Sequence, residues 1–168
     1  MSELIIKPME TAEEIRGKAY VHWKSWQETY PGMVDAGYLQ RLTLERCEEM
    51  AFRWPEGTRI AKLDGKVVGF AAIGVSREQP GAGELYALYV LQTNQGQQIG
   101  RRLMLLCLEE LSRCERIYLW VLAANETALG FYERFGFHRD GAEKVLTLGT
   151  PVKGVRLVRE QGGESHGA

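Results

Sequence analysis

The chain has 168 residues and a formal net charge of −1, with 21 Lys and Arg against 22 Asp and Glu. Hydrophobic residues make up 45%, as in an ordinary folded protein, and the length suits one self-sufficient core. The near-zero charge excludes a general nucleic-acid binder, and the longest apolar run, the eight residues 117–124, falls far short of the roughly 18 that cross a bilayer.

Leu4, Ile5 and Ile6 predict a short buried strand. Thr11 with Glu14 three residues on is a capping box, so a helix starts there. Ile15, Ala19, Trp23, Trp26 and Tyr30 recur at helical steps and mark one face, which Pro31-Gly32 ends. Residues 35–42 and 43–54 predict two short helical pieces. Asp64-Gly65 between the apolar runs 58–63 and 66–73 is a hairpin signal. Residues 84–90, rich in aromatic and branched side chains, predict a third strand. A polar, glycine-bearing stretch at 92–100 then runs into a helix from Arg101. Residues 117–122 predict a strand buried on both faces. A helix over 125–135 ends at Gly136, and 137–148 and 153–158 predict closing strands. Residues 161–168 read as a frayed tail, which leaves one domain over 1–160. The order β-αα-βββ-α-β-α-ββ implies a mixed α/β layer fold.

Cys47, Cys107 and Cys114 have no framework spacing, and on one helix Cys107 and Cys114 stand about 10 Å apart, too far to bridge. Inert core thiols fit a reducing cytoplasm. Residues 1–8 lack a basic start followed by an apolar stretch, which reads as no secretory leader. His22, His138 and His166 show no metal-ligand spacing, so no metal is expected.

Two segments carry chemistry. The loop Gln95-Gly96-Gln97-Gln98-Ile99-Gly100 opens into a helix. Such a loop turns backbone N–H groups toward one point, and the helix dipole favours an anion there. Arg101 and Arg102 add charge suited to phosphate. The spacing matches neither a P-loop nor G-x-G-x-x-G, and a plain turn accounts for it equally well. Downstream, Asn125 is placed to cap a helix on which Ala128, Phe131, Tyr132 and Phe135 share a face. The two phenylalanines read as core, whereas Tyr132 is either core or functional.

Together these segments resemble the GNAT superfamily of N-acetyltransferases. The resemblance rests on the strand at 84–90, the 95–100 loop, and the pattern Asn-x-x-Ala-x-x-Phe-Tyr-x-x-Phe-Gly-Phe from Asn125 to Phe137, and it extends loosely over 3–160. The family's loop reads Q/R-x-x-G-x-G/A. Gln95 takes its first position and Gly100 its last, while Gln98 stands where the middle glycine is expected.

The resemblance implies a central, mostly antiparallel twisted sheet flanked by helices. It implies acetyl-CoA as co-substrate, and transfer of the acetyl group to a primary amine by direct attack on the thioester. Backbone groups of Leu88, Tyr89 and Val90 would pair with pantetheine. Amides of Gln95, Gly96, Gln97, Gln98, Ile99, Gly100 and Arg101 would hold the pyrophosphate. Asn125 would contact the cofactor arm or the adjacent strand, and Tyr132 would be the general acid for the CoA thiolate. Glu84 stands where many relatives carry a glutamate acting as base, directly or through water; an exposed strand-edge glutamate is the plain alternative.

Strand alternation puts Glu84, Tyr86 and Leu88 on one face. Trp26, Tyr30 and Tyr86 are the candidate walls of an acceptor pocket, with core packing as the other reading of the two helical aromatics. Trp23 reads as core; Glu28 and Asp35 read as solvated surface, with attraction of a positive amine as the other reading. No separate peptide-docking segment is visible, so a small-molecule amine is the expected acceptor. The alternatives are a peptide or protein N-acetyltransferase and a non-catalytic CoA-binding module. Neither a nucleic acid nor a membrane is an expected partner, and a homodimer follows by family analogy alone.

Overall fold

The computed structural model describes residues 2–76 and 78–161. Strand β1 (Leu4–Pro8) leads into helices α1 (Ala12–Thr29), α2 (Ala36–Arg41) and α3 (Leu44–Arg53). Strands β2 (Thr58–Leu63), β3 (Lys66–Val75) and β4 (Ala82–Val90) follow. Helix α4 (Ile99–Glu110), strand β5 (Arg116–Leu122), helix α5 (Glu126–Glu133) and strands β6 (His138–Leu148) and β7 (Thr150–Glu160) complete the chain. Seven strands form one sheet in the order β1-β2-β3-β4-β5-β7-β6. Every neighbouring pair is antiparallel except β4–β5, which is parallel.

Local chemistry explains the boundaries. Thr11 and Glu14 make both arms of the capping box that starts α1. Asp64 and Gly65 take φ of 52° and 83°, the left-handed pair that a two-residue hairpin turn needs. Three helices separate β1 from β2, the long α1 and the two short pieces expected over 35–42 and 43–54. The Thr43 side chain accepts from the Arg46 N–H and starts α3 afresh after the extended Leu42. Of the predicted tail, only Gln161 lies within the described residues. Its side-chain amide donates to the carbonyls of Leu111 and Cys114 at 3.1 and 3.0 Å.

The main core fills the space between the sheet and helices α1, α4 and α5, with Ile60, Phe70, Leu103, Met104, Ile117 and Leu157 nearly inaccessible. In β5, Ile117, Tyr118 and Leu119 are each 1% exposed, the two-faced burial its apolar run predicts.

Two irregularities shape the middle of the sheet. First, β4 and β5 share only the rungs Ala82↔Arg116, Gly83↔Ile117 and Glu84↔Tyr118. Second, β4 bulges against β3: Ile73 pairs with Leu85 and Ala72 with Ala87, so Tyr86 is the extra residue. A bulge bends and twists its strand, and this one sits where β4 parts from β5. It also breaks the alternation expected from the sequence. A Cβ on Gly83 would meet Leu111 and Cys114 at the end of α4, and Val90 lies against Gly100 at its start. Positions 83 and 90 face α4 despite their opposite parity. Glu84 therefore faces away from α4 while Leu88 faces it, and the two do not share a face.

Candidate active site

Beyond Glu84 and Tyr118, no rung joins β4 to β5 among the described residues. The sheet forks there, and the open edge of β4 lines a cavity of about 830 Å³. Leu88, Tyr89 and Val90 form one wall. Gln95, Gly96, Gln98, Ile99, Gly100 and Arg101 form the end nearest α4, and Asn125 and Tyr132 come from the β5–α5 side. Parts of the chain some 40 residues apart are thus brought to one hollow. Gln97 is exposed and does not line it.

The loop is held by its own polar groups. The Gln95 side-chain amide donates to the Val90 carbonyl at 3.1 Å, tying the loop to the end of β4. Gly96 and Gln98 both have positive φ, 81° and 70°. Gln98 thus adopts the conformation that the expected glycine would, at some steric cost. Its carbonyl accepts the N–H of Arg102, the first bond of the α4 ladder. The N–H groups of Ile99, Gly100 and Arg101 precede that ladder, as at every helix start. No described ion pair involves Arg101, Arg102 or Arg134, and Arg101 and Arg134 both line the cavity. A Cβ on Gly100 would sit 3.5 Å from Phe131, ordinary contact, so this glycine marks where α4 and α5 touch.

On the far side, Asn125 is buried and accepts the Ala128 N–H at 3.2 Å, capping α5. Tyr132 is 9% exposed and packs edge-on against Phe131 and Phe137. Burial above all, then nearby Tyr30 and Cys107, push its phenol well above the ordinary range, so it is a neutral donor at any ordinary pH. The hydroxyl of Tyr89 meets that of Tyr30 at 2.9 Å.

Other candidates lie elsewhere. Glu84 sits on the last rung before the fork, opposite Tyr118, and does not line the cavity. Burial first, and the Glu84 and Glu78 carboxylates after it, push the Tyr118 phenol up. Tyr86 is half exposed, and its hydroxyl donates to the Val75 carbonyl at 3.0 Å, outside the hollow. Trp26 and Tyr30 stack edge-on at 4.7 Å behind the wall that Tyr89 forms, in a second core cluster with Val34, Leu39 and Leu122. Trp23 packs beside Ala19 and Cys47. Asp35 caps α2 by accepting the Tyr38 N–H. Burial pushes the Cys47 and Cys107 thiols up to about 11 and about 12.

Glu28, read from the sequence as surface, lines the cavity and accepts the Gln92 N–H at 3.0 Å. Nothing in the local sequence marks that role, because its partner lies 64 residues away. Arg134 is a second cavity residue that the sequence pattern passes over; its place at the C-terminal cap of α5, within the motif, is the signal that could have found it.

Chemically, an unpaired strand edge offers amide and carbonyl groups to an extended chain. A loop of left-handed residues at a helix start offers N–H groups to an anion. Both open on one cavity here. Residues 19–137 match the acetyltransferase (GNAT) family. A 32% identical relative, the uncharacterized N-acetyltransferase YuaI of Bacillus subtilis, aligns over 154 residues, 86% of this chain and 87% of its own. The spermine/spermidine N(1)-acetyltransferase of the same organism is 29% identical over 119 residues, 63% of this chain and 76% of its own. The PaiA N-acetyltransferase of Thermoplasma acidophilum, solved in complex with coenzyme A, shares the fold. It superposes with a TM-score of 0.73 at 18% identity, over 94% of this chain and 99% of that one. The chain belongs to the GNAT family and is an acetyltransferase.

Proposed function

We propose that the protein transfers the acetyl group of acetyl-CoA to the primary amine of a small molecule. One observation carries this reading: the β4–β5 fork opens directly onto the left-handed loop at the start of α4, so a strand-like arm and an anion are held end to end. The dimensions and donor types fit pantetheine along β4 and a diphosphate at residues 95–101. Arg101 and Arg134 supply charge, and Gln95 holds the loop in place.

Bound acetyl-CoA supplies an activated acetyl thioester. The chain does the rest. An amine of pKa near 10 is about 0.1% neutral at pH 7, a barrier contribution of roughly 4 kcal/mol. A carboxylate near the reacting nitrogen lowers that barrier by taking its proton. In this reading Glu84, at the crotch of the fork, takes that proton through water. Glu28, at the cavity rim, adds negative charge that draws a cationic amine. Tyr132, neutral and buried, gives its proton to the departing sulfur. The likeness to a spermine/spermidine acetyltransferase supports a small amine as acceptor.

Acetyl-CoA consumption over a panel of amino acids, polyamines, aminoglycosides and peptides tests the reading. Turnover with a small amine well above that with any peptide is expected; peptides as the better acceptors would overturn it.

A further inference from the structure

We propose that Lys144 selects the acceptor: its ammonium receives a carboxylate, so the amine that is acetylated belongs to an amino acid or another small molecule that carries a negative group. The proposal rests on the acetyl-transfer reading above and names the acceptor class which that reading leaves open.

Strand register places Lys144 at the fork. Glu84 faces away from α4 and pairs with Tyr118 on the last rung, so Tyr118 shares that face. Alternation puts Trp120 and Leu122 there too, and Leu122 packs with Tyr30 and Val34 at the end of α1. Trp120 is thus the first side chain beyond the last rung on the face of Glu84, about 7 Å along β5 from Tyr118. Arg156 pairs with Trp120 across β5 and β7, and its guanidinium lies 5.7 Å from the centre of the Trp120 ring. Lys144 pairs with Gly154, which stands opposite Leu122, and its ammonium lies 4.1 Å from the centre of the same ring.

The two cations are not equivalent. Arg156 is met by Asp140 at 2.7 Å and by Glu78 at 4.0 Å. No described ion pair involves Lys144, which rests on the face of Trp120 instead. The indole N–H of Trp120 is itself buried without a hydrogen-bond partner among the described residues. This corner of the fork therefore holds donors and positive charge that lack an acceptor.

The corner also lies where an acceptor arrives. Helix α4 and the loop that starts it pack on the other face of β4, the side on which the diphosphate is read, so an acceptor meets the thioester from the side of Glu84. On that side Tyr86 is half exposed, Trp120 is partly buried and Lys144 is exposed. A carboxylate held there pairs with Lys144 against an aromatic surface, where a charge-assisted hydrogen bond counts for more than in open water. An amine with a second positive charge meets repulsion instead, so one side chain favours amino acids and disfavours polyamines.

The experiment measures kcat/KM, at saturating acetyl-CoA, for matched acceptors: amino acids, their carboxamides, the corresponding amines with neither group, and spermidine. The wild-type protein is expected to prefer an acid over its carboxamide about tenfold or more, and the preference is expected to shrink as salt screens the pair. Lys144→Met is expected to bring the acid-to-carboxamide ratio close to one, and Lys144→Arg to keep most of it. The ratio cancels any loss of folded protein or of general turnover, since both fall on the two acceptors alike. A wild-type ratio near one, or a ratio that Lys144→Met leaves unmoved, overturns the proposal. So does turnover of spermidine or a simple amine above that of every amino acid, which would make the Trp120 ring a seat for the acceptor's own cation. Each of these results leaves the acetyl-transfer reading standing. No heat on titrating CoA into the wild-type protein overturns that reading and this proposal with it.

Discussion

Gln98 occupies a backbone conformation that its side chain disfavours. Its φ of 70° places a Cβ where glycine would have none. Glycine there removes steric strain and adds unfolded-chain entropy, two effects of opposite sign and similar size. The steric one is the larger for a non-glycine residue in the left-handed region. Gln98→Gly is therefore expected to raise Tm by about 1–3 °C. Gln98→Val, β-branched and worse suited to positive φ, is expected to lower Tm and to weaken CoA binding; thermal melts and calorimetry check both. At Tyr132 the expectation is kinetic: Tyr132→Phe keeps the ring packing against Phe131 and Phe137 but removes the donor. Its kcat is expected to fall at least about tenfold with little change in acetyl-CoA KM. The two residues also show what a sequence conceals. The loop's place at the start of α4 was legible from Gln95 and Gly100, but the φ of Gln98 was not, since nothing at position 98 announces strain. The place of Tyr132 on α5 was legible from its motif, whereas the hydrogen bonds of Glu28 and Tyr30 join partners 64 and 59 residues away.

Helix α1 ties its N-terminus to the sheet through Glu14. That carboxylate is nearly buried and accepts from Lys7 and Lys62 at 2.7 and 3.0 Å and from the Glu10 N–H at 2.7 Å. Burial alone would raise its pKa; the bonds from Lys7, Glu10 and Lys62 outweigh it and hold the group down to about 2, against 4.5 when unperturbed. A folded-state pKa below the unfolded value stabilises above 4.5, and that stability is lost as pH falls toward 2. Glu14→Gln is expected to cost about 1–3 kcal/mol at pH 7. Its gap from the wild-type protein should close across that acid window in urea melts. Midway along α1, His22 is held neutral by burial, helped by Lys18, with its pKa lowered to about 4 from 6.5. Unfolded chains bind its proton first, so stability falls as pH drops from 6.5 toward 4, by up to about 1.4 kcal/mol per unit. His22→Phe is expected to flatten that slope. The capping box and the Asp64-Gly65 turn were readable because each is chemistry between near neighbours. The bulge at Tyr86 was not, because β3 and β4 decide it together: the glycine beside it, Gly74, lies on the partner strand and meets the Tyr86 ring only once the two strands pair.

Across the whole molecule, the order of strands and helices was legible because hydrophobic period and turn residues set each element locally. The fork was not, since it is the absence of pairing between two strands that each look complete. That fork leaves the β1–β4 half of the sheet joined to the β5–β7–β6 half by three rungs and by the packing of α4 and α5 against them. In the proposed reading, an arm lying along β4 and reaching the loop would supply the missing bridge. Acetyl-CoA is therefore expected to stabilise the native chain as any ligand of the folded state must, by about 2.7 kcal/mol at one hundred times its Kd. The gain should also be local. Leu88 to Val90 and, within 95–101, every residue but Gln97 line the cavity, and the amides of these segments should exchange with solvent more slowly once it is filled. Amides of β1 and β2, at the opposite edge of the sheet, should change little. Hydrogen-exchange mass spectrometry with and without acetyl-CoA reads both patterns. Uniform protection over all seven strands, with no excess at 88–90 and 95–101, would mean that the ligand stiffens the fold from some other place.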